Sequence, residues 1–118
     1  MITHVTVQTA KQAETVEFYQ WLLGLPVART LETPNGPIIF LGGGETALEL
    51  IANDTAEPIN AKGLTIGFAV DDLDKKLVLL DSRQIRHSDI IAPGHDGIRF
   101  AYFTDLNGCA IQLFEAGK

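Results

Sequence analysis

The sequence predicts an α+β fold made of two modules, each with the element order strand, helix, strand, strand, strand. Each half opens with a short alternating run of β-branched residues, continues with an apolar stripe at helical spacing and ends in three more extended runs. The halves also align at a nearly constant offset, because Thr65 follows His4 by 61 residues and Gln112 follows Glu49 by 63. Such an offset is typical of an internal duplication.

The first half begins with a predicted strand over residues 2–9. Thr9 and Gln12 then match a capping box, in which a hydroxyl and a side-chain amide satisfy free N–H groups at the start of a helix. Apolar residues at helical spacing follow, and Gly24 ends the predicted helix before Pro26. The three further extended runs are residues 27–32, 37–41 and 45–52.

The second half repeats this order. A strand is predicted over residues 63–70, and both Asp71 and Asp72 are candidate N-caps for the helix that follows. The stripe of that helix consists of leucines at helical spacing. The three further extended runs are residues 84–91, 97–104 and 109–115.

Between the halves lies a polar, aperiodic segment, residues 53–62, which predicts a linker. We therefore expect one domain over residues 1–118. Its first module covers residues 1–55 and its second module covers residues 63–118.

The composition describes one small acidic domain. The chain has 118 residues, a formal net charge of −6, 46% hydrophobic residues and one cysteine. A single cysteine excludes an intramolecular disulfide and a cysteine-based zinc site, and the negative charge argues against nucleic-acid binding. No run approaches the ~20 apolar residues of a membrane span, and the first residues lack the pattern of a signal peptide. We expect a cytoplasmic protein without nucleic-acid or membrane partners.

Six short segments, taken in order and with their spacing, resemble the vicinal oxygen chelate superfamily. This superfamily includes glyoxalase I, bleomycin-resistance proteins, fosfomycin-resistance enzymes and extradiol dioxygenases. The resemblance covers essentially the whole chain. The segments are ITHV, FY with the following LGL, ALEL, FAVDDL, FTDLNG and IQLFE.

The resemblance implies two βαβββ modules in a curled mixed or antiparallel sheet, with a ligand cup on the concave side and the helices on the convex side. It also implies a small-molecule ligand or substrate and a homodimer, with the cup formed within one chain or across the dimer. The alternation in residues 47–51 agrees with this arrangement, since Leu48 and Leu50 share one face and Glu49 lies on the other. Glu49 then faces either the cup or water.

The resemblance also implies a set of metal ligands. Metal-using members supply a His from each opening strand and a Glu from each closing strand, and the matching residues here are His4, Glu49, Thr65 and Gln112. One divalent metal, zinc, nickel, manganese or iron, would thus be held by His4, Glu49 and Gln112. Thr65 is not an ordinary ligand, and a catalytic metal usually needs about three imidazole or carboxylate ligands. An extradiol dioxygenase is disfavoured because its iron needs a second imidazole.

Two functional hypotheses follow from the resemblance. The first is a metal-assisted lyase or isomerase of the glyoxalase type, with Glu49 as the base that removes a proton next to a carbonyl. The second is a binding or sequestering protein of the bleomycin-resistance type, which holds an aromatic or polar molecule without a metal. His4 and Glu49 favour the first hypothesis, whereas Thr65 and Gln112 favour the second. A domain that pairs with a partner through its open sheet edges is a third, weaker alternative.

Thr65 is also expected to contact the ligand, together with two further residues, Arg99 and Tyr102. If residues 105–108 form a four-residue hairpin loop, Ala101 lies opposite Gln112 and Arg99 shares the face of Gln112. Arg99 would then anchor a carboxylate or phosphate of the ligand.

The other histidines and the cysteine give weaker signals. His87 lies in a predicted strand, and His95 falls between glycines and a proline that favour an exposed turn. Whether either histidine takes part in the site stays open. Cys109 has no basic partner nearby in the sequence, so we expect no nucleophile there.

Overall fold

Two helices and seven strands form an α+β fold in the computed structural model, which describes residues 1–44 and 46–117. The predicted fold class is confirmed. Glu45, the first residue of one predicted extended run, lies outside the described residues. The elements are β1 (His4–Thr9), α1 (Gln12–Leu23), β2 (Val27–Thr33), β3 (Gly36–Leu41), β4 (Ala47–Ala52), β5 (Ile66–Ala69), α2 (Leu73–Ser82), β6 (Arg99–Thr104) and β7 (Ala110–Glu115). Neither helix in this described part of the chain is long and apolar enough to cross a membrane.

The first compact unit, Met1–Glu57, holds a mixed four-stranded sheet in the order β1-β4-β3-β2. β1 runs parallel to β4, and the other neighbours are antiparallel. Helix α1 packs against β4, where Leu48 and Leu50 are buried. The intervening Glu49 points to the opposite face, as its alternation with the leucines predicts.

The start of α1 differs from the predicted capping box. The helix begins at Gln12, and its N-cap residue Lys11 makes no side-chain capping bond. The hydroxyl of Thr9 accepts a hydrogen bond from the Lys11 N–H (2.8 Å). This bond closes a turn that precedes the helix, and it does not cap the helix. The Gln12 amide is also committed elsewhere, since it donates to the carbonyl oxygens of Pro37 (2.8 Å) and Leu50 (3.0 Å). These bonds fasten the start of α1 to β3 and β4.

The second compact unit, Pro58–Lys118, holds a mixed three-stranded sheet in the order β5-β7-β6. Asp72 is the N-cap of α2, because its carboxylate accepts a hydrogen bond from the Lys75 N–H (3.1 Å). The leucine stripe of α2 is buried, as predicted. The buried residues of the sheet alternate along β6 and β7 and lie on one face: Ala101, Phe103, Ile111 and Leu113.

The predicted strand over residues 84–91 is wrong, because this segment forms two isolated bridges only. His87 pairs with Phe103, and Ile91 pairs with Phe100. Between them the Ser88 N–H donates to the Tyr102 carbonyl (2.8 Å), but the Tyr102 N–H donates to the Ser88 hydroxyl (2.9 Å). A side chain has therefore replaced the backbone carbonyl that a continuous ladder needs.

Residues 53–62 contain neither helix nor strand. Within the second unit, the Ile59 N–H donates to the Asn107 carbonyl (2.7 Å). The next residue, Gly108, lies against the Ile59 backbone. Gly108 has a φ of +81°, and a Cβ there would lie 2.5 Å from the Ile59 oxygen. Only glycine satisfies both the backbone conformation and the close approach.

Candidate ligand-binding faces

The side of the first sheet opposite α1 carries a carboxylate with defined partners, and we call it the Glu49 face: His4, Thr6, Phe40 and Glu49. Strand register places Thr6 and Phe40 on either side of Glu49. The Thr6 hydroxyl donates a hydrogen bond to Oε1 of Glu49. His4 Nε2 lies 3.7 Å from the same oxygen, with the Glu49 side chain 12% exposed and the His4 side chain 42% exposed. The two residues predicted from the first half thus lie together.

Aromatic contacts extend the Glu49 face. The His4 ring meets the Phe40 ring edge-on, with centroids 5.8 Å apart. The Arg29 guanidinium lies over the Phe40 ring, 5.9 Å from its centroid, which is within the range of a cation–π contact. Thr6 and Phe40 were not predicted from the sequence. Thr6 could have been found from its alternation with His4 in β1, whereas Phe40 requires the β3–β4 register.

The side of the second sheet opposite its buried residues is the Gln112 face: Gly67, Phe100, Tyr102, Gln112 and Phe114. Register places Gly67 and Tyr102 on either side of Gln112. Gln112 Nε2 donates a hydrogen bond to the Tyr102 hydroxyl oxygen (3.1 Å). A Cβ at position 67 would lie 3.3 Å from Gln112 Oε1, so the glycine leaves this oxygen uncovered by a neighbouring side chain of β5.

Three aromatic rings lie beside Gln112. Phe100 stacks on Phe114, with an interplanar angle of 13° and centroids 6.4 Å apart. Phe100 also meets Tyr102 edge-on at 5.8 Å. Tyr102 is 37% exposed, and Phe100 and Phe114 are partly exposed. Tyr102 and Gln112 were predicted from the sequence as site residues. The two phenylalanines were not, because their place on this face depends on the β6–β7 register.

The predicted β6–β7 register is wrong by one residue. Thr104 pairs with Ala110, so the connection has five residues and Gln112 lies opposite Tyr102 instead of Ala101. The longer loop is held by the Asp105 carboxylate, which accepts hydrogen bonds from the N–H groups of Asn107 and Cys109, each at 2.9 Å. A shift of one residue moves every side chain of a strand to the other face.

This shift places Arg99 on the α2 side of the sheet, away from Gln112. Its guanidinium makes two hydrogen bonds to Asp74 and one to Glu115, all at 3.2 Å. The other oxygen of Glu115 accepts the Leu73 N–H at the start of α2 (2.8 Å). Arg99 therefore ties α2 to β6 and β7, and the geometry does not bring it to the Gln112 face.

Thr65 precedes β5 and is exposed. It lies two residues before Gly67, the partner of Gln112, just as His4 lies two residues before Thr6, the partner of Glu49. The strand registers thus make Thr65 the counterpart of His4 and Gln112 the counterpart of Glu49. The assignment of family ligand positions to these four residues depends on this correspondence.

The remaining histidines and the cysteine lie elsewhere. His87 Nε2 is 2.8 Å from Asp81 Oδ1 and Nδ1 is 2.8 Å from the Ser88 carbonyl, and these contacts, the backbone one first, raise the pKa of His87. Burial raises the pKa of the Cys109 thiol to about 11, so it is not a thiolate at neutral pH. His95 lines a pocket of about 560 Å³ together with Arg99 and Glu115.

The divalent metal that the resemblance implies is not matched by a full set of conventional ligands. Within residues 1–44 and 46–117 no group of three or more His, Cys, Asp or Glu side chains is arranged to hold a metal ion. The donor chemistry explains this result, because the Glu49 face offers one imidazole and one carboxylate. Gln112 offers the carbonyl oxygen of an amide whose Nε2 donates to Tyr102, and Thr65 offers a hydroxyl. Three imidazole or carboxylate ligands are the usual requirement.

These features define an α+β protein of two repeated strand-and-helix units, with polar and aromatic groups on the open strand faces. A model of the Glyoxalase/Bleomycin resistance protein/Dioxygenase superfamily matches residues 1–113. The chain belongs to this superfamily, as its resemblance to the vicinal oxygen chelate proteins predicts. No curated protein matches the chain.

Solved structures of this fold cover nearly the whole chain. A glyoxalase family protein from Enterococcus faecalis is 25% identical, with a TM-score of 0.73 and coverage of 98% of this chain and 97% of that one. TnmS3, an antibiotic binding protein from Streptomyces sp. CB03234, is 20% identical, with a TM-score of 0.74 and coverage of 99% and 96%. Lactoylglutathione lyase from Agrobacterium tumefaciens is 18% identical, with a TM-score of 0.67 and coverage of 98% and 92%.

Proposed function

We propose that this protein binds a small, largely planar organic molecule without covalent chemistry, and that a divalent metal is not needed for this binding. The observation that carries the proposal is the Gln112 face, where the Gln112 amide bonds to the Tyr102 phenol and the Phe100 and Phe114 rings lie on the same face. Ligand sites combine apolar and aromatic walls with a few polar groups that orient the ligand. The antibiotic binding protein among the structural neighbours supports the same class of function.

The energetics favour an aromatic ligand. A ring that packs on an aromatic side chain gains about 0.5–1.5 kcal/mol per pair beyond the burial of its area. Tyr102 is the most exposed ring of the Gln112 face. Its hydroxyl also gives the ligand a hydrogen-bonding partner next to the apolar surface.

Donor chemistry supports metal independence. A catalytic divalent ion is held by about three imidazole or carboxylate groups, and of the four corresponding residues only His4 and Glu49 belong to those types.

Titration of the EDTA-treated protein with 2-naphthol, a planar bicyclic probe, tests the proposal. We expect saturable NMR shifts of the backbone amides of Tyr102 and Gln112, with the same Kd after zinc is added. Phe100→Leu should weaken binding several-fold by removing a ring, whereas Val78→Thr, on the exposed side of α2, should leave the Kd unchanged. No saturable shift, or binding that requires zinc, would refute the proposal.

A second candidate is a lyase or isomerase of the glyoxalase type, favoured by the His4–Glu49 geometry. The Glu49 carboxylate is mostly buried, and Thr6 holds one of its oxygens, which is an arrangement suited to a positioned base. Turnover of lactoylglutathione, the compound in the name of one structural neighbour, is the test, with zinc or nickel added and Glu49→Gln as the matched variant. Turnover that Glu49→Gln abolishes would establish this function.

The homodimer that the family resemblance implies remains a prediction, and a role for Gln112 as a metal ligand belongs to the second candidate function alone. Sedimentation velocity over a range of protein concentrations tests the first. A dimer that persists on dilution is the expected result, and a monomer at all concentrations would contradict it.

A further inference from the structure

The geometry points to a narrower ligand class on the Gln112 face: a neutral planar molecule with a hydrogen-bond donor and an acceptor side by side on one edge, as in a lactam or a cyclic imide. This inference rests on the proposed binding function and adds the chemistry of the ligand edge. The amide of Gln112, the phenol of Tyr102 and the absence of a side chain at Gly67 are the three features that carry it.

The first feature is the hydrogen-bonding capacity left on Gln112. One N–H of its Nε2 donates to the Tyr102 hydroxyl oxygen (3.1 Å). A side-chain amide has two N–H donors and a carbonyl acceptor, so one N–H and Oε1 stay available for a ligand. These two groups lie side by side on the same amide, and a cis-amide edge matches them with its own C=O and N–H. The Tyr102 hydroxyl keeps its proton as an additional donor.

The second feature is access to Oε1. Gly67 is the β5 neighbour of Gln112, and a Cβ in its place would lie 3.3 Å from that oxygen. Strand β5 is at the edge of the sheet, and both Gly67 and Ala69 are exposed. Among the described residues, Gln112 Oε1 is the one atom beyond the chain neighbours of Gly67 within 4 Å of that Cβ position, so a flat molecule can approach Oε1 over Gly67.

The third feature is the distance between the amide and the rings. Gln112 and Phe114 lie on the same face of β7, two residues apart, which is roughly 7 Å along a strand. A bicyclic molecule spans this distance, so its polar edge can meet Gln112 while its ring packs against Phe114 or Tyr102. The Phe100–Phe114 stack supports that packing surface from the side.

The charge of the face excludes anions as the preferred ligand. The five residues that define the Gln112 face carry no basic or acidic group. Arg99, the cation predicted to anchor a carboxylate or phosphate, is committed to Asp74 and Glu115 on the other side of the sheet. A neutral edge with one donor and one acceptor pairs with Gln112 without leaving a buried charge unpaired.

Three probes of nearly the same shape test the inference: quinolin-2(1H)-one, its N-methyl derivative and 2-naphthol. We expect quinolin-2(1H)-one to bind about tenfold more tightly than the N-methyl derivative, which lacks the N–H that donates to Oε1. The NMR signals of the Gln112 side-chain amide should shift with the lactam only. Gln112→Leu should remove the preference for the lactam and retain 2-naphthol binding, whereas Gln20→Leu, on exposed α1 surface, should change neither.

The outcomes separate this inference from the proposed function. Equal affinity for all three probes would overturn the lactam preference and leave the proposed function in place. If none of the three probes binds, both the lactam preference and the proposed function are overturned. Signals of the Gln112 face that shift with protein concentration, without any probe, would show that a second copy of the chain covers the face and would also overturn the inference. The comparison of probes on the unsubstituted protein stands even if Gln112→Leu does not fold.

Discussion

Thr6 donates its hydroxyl proton to Oε1 of Glu49, the carboxylate oxygen that also lies 3.7 Å from His4 Nε2. The contact joins two neighbouring strands, because Thr6 and Glu49 are direct partners in the parallel β1–β4 pair. The direction of the carboxylate is therefore set by the sheet itself. In the second unit Gly67 occupies the position that corresponds to Thr6, and the Gln112 amide turns to Tyr102 instead.

Loss of the Thr6 hydroxyl should destabilise the first unit. Thr6→Val keeps the shape and β propensity of the side chain but removes the donor to a mostly buried carboxylate, so we expect a loss of about 1 to 2 kcal/mol in the free energy of unfolding. Urea unfolding measures it. Thr6→Ser retains the hydroxyl and should lose much less. Equal losses in both variants would show that the methyl group, and not the hydrogen bond, is responsible.

Stability should fall with rising pH through the titration of His87. Both ring nitrogens face acceptors, the Ser88 carbonyl and the Asp81 carboxylate, and Asp89 adds a negative charge nearby, so the pKa of His87 is raised above its ordinary value. A raised pKa in the folded state gives stability that is fully present below the unfolded-state pKa, about 6.5, and is lost as the pH rises through the folded-state pKa.

Urea unfolding between about pH 5.5 and 8.5 measures this dependence, since histidine titrates in that range. We expect His87→Gln to remove part of the decline in stability, and Asp81→Asn to reduce it. A His87→Gln protein whose stability declines with pH as steeply as the parent would exclude His87 as the source.

Arg99 should affect stability slightly and binding not at all. Its partner Asp74 is 66% exposed, so we expect Arg99→Met to cost less than about 1 kcal/mol. The Kd for 2-naphthol should stay the same, because Arg99 lies on the α2 side of the sheet. Arg86→Met, at an exposed position, is the matched control. Several-fold weaker binding by Arg99→Met, with no change for Arg86→Met, would show that Arg99 belongs to the ligand site.

Gly108 should be far less tolerant of a side chain than Gly63, although the two have nearly the same backbone conformation. Their φ values are +81° and +80°, but a Cβ at Gly108 would meet the Ile59 backbone at 2.5 Å, whereas a Cβ at Gly63 meets nothing within 4 Å. Gly63→Ala should cost about 1–2 kcal/mol for the left-handed conformation alone, and Gly108→Ala should cost more. Thermal unfolding of the two variants gives the comparison, and equal losses would show that the contact with Ile59 is easily relieved.

Periodicity in the sequence predicted the features that depend on local pattern. The alternation of Leu48, Glu49 and Leu50 gave the correct faces of β4, because the side-chain direction in a strand has a strict period of two. The leucine stripe of α2 was predicted for a similar reason, and Asp72, one of the two candidate N-caps in the sequence, caps that helix. The offset between the halves also agrees with the paired registers of β1–β4 and β5–β7.

Features that depend on specific side-chain hydrogen bonds were not predicted. The five-residue β6–β7 connection exists because the Asp105 carboxylate accepts two backbone N–H groups, and a pattern of turn residues does not specify which of two neighbouring loop lengths results. The one extra residue in this connection determines on which face of the sheet Arg99 and Tyr102 lie. The interrupted ladder at Ser88 has a similar cause, since a hydroxyl accepts the Tyr102 N–H in place of a carbonyl.

Metal stoichiometry tests metal-independent binding most directly. Protein purified without chelator, and then incubated with zinc, nickel, manganese or iron and dialysed, is analysed for bound metal alongside Glu49→Ala. We expect substoichiometric metal in both proteins. One equivalent of metal in the unsubstituted protein that is lost in Glu49→Ala would contradict metal independence, because the ligands present would then suffice to hold a divalent ion.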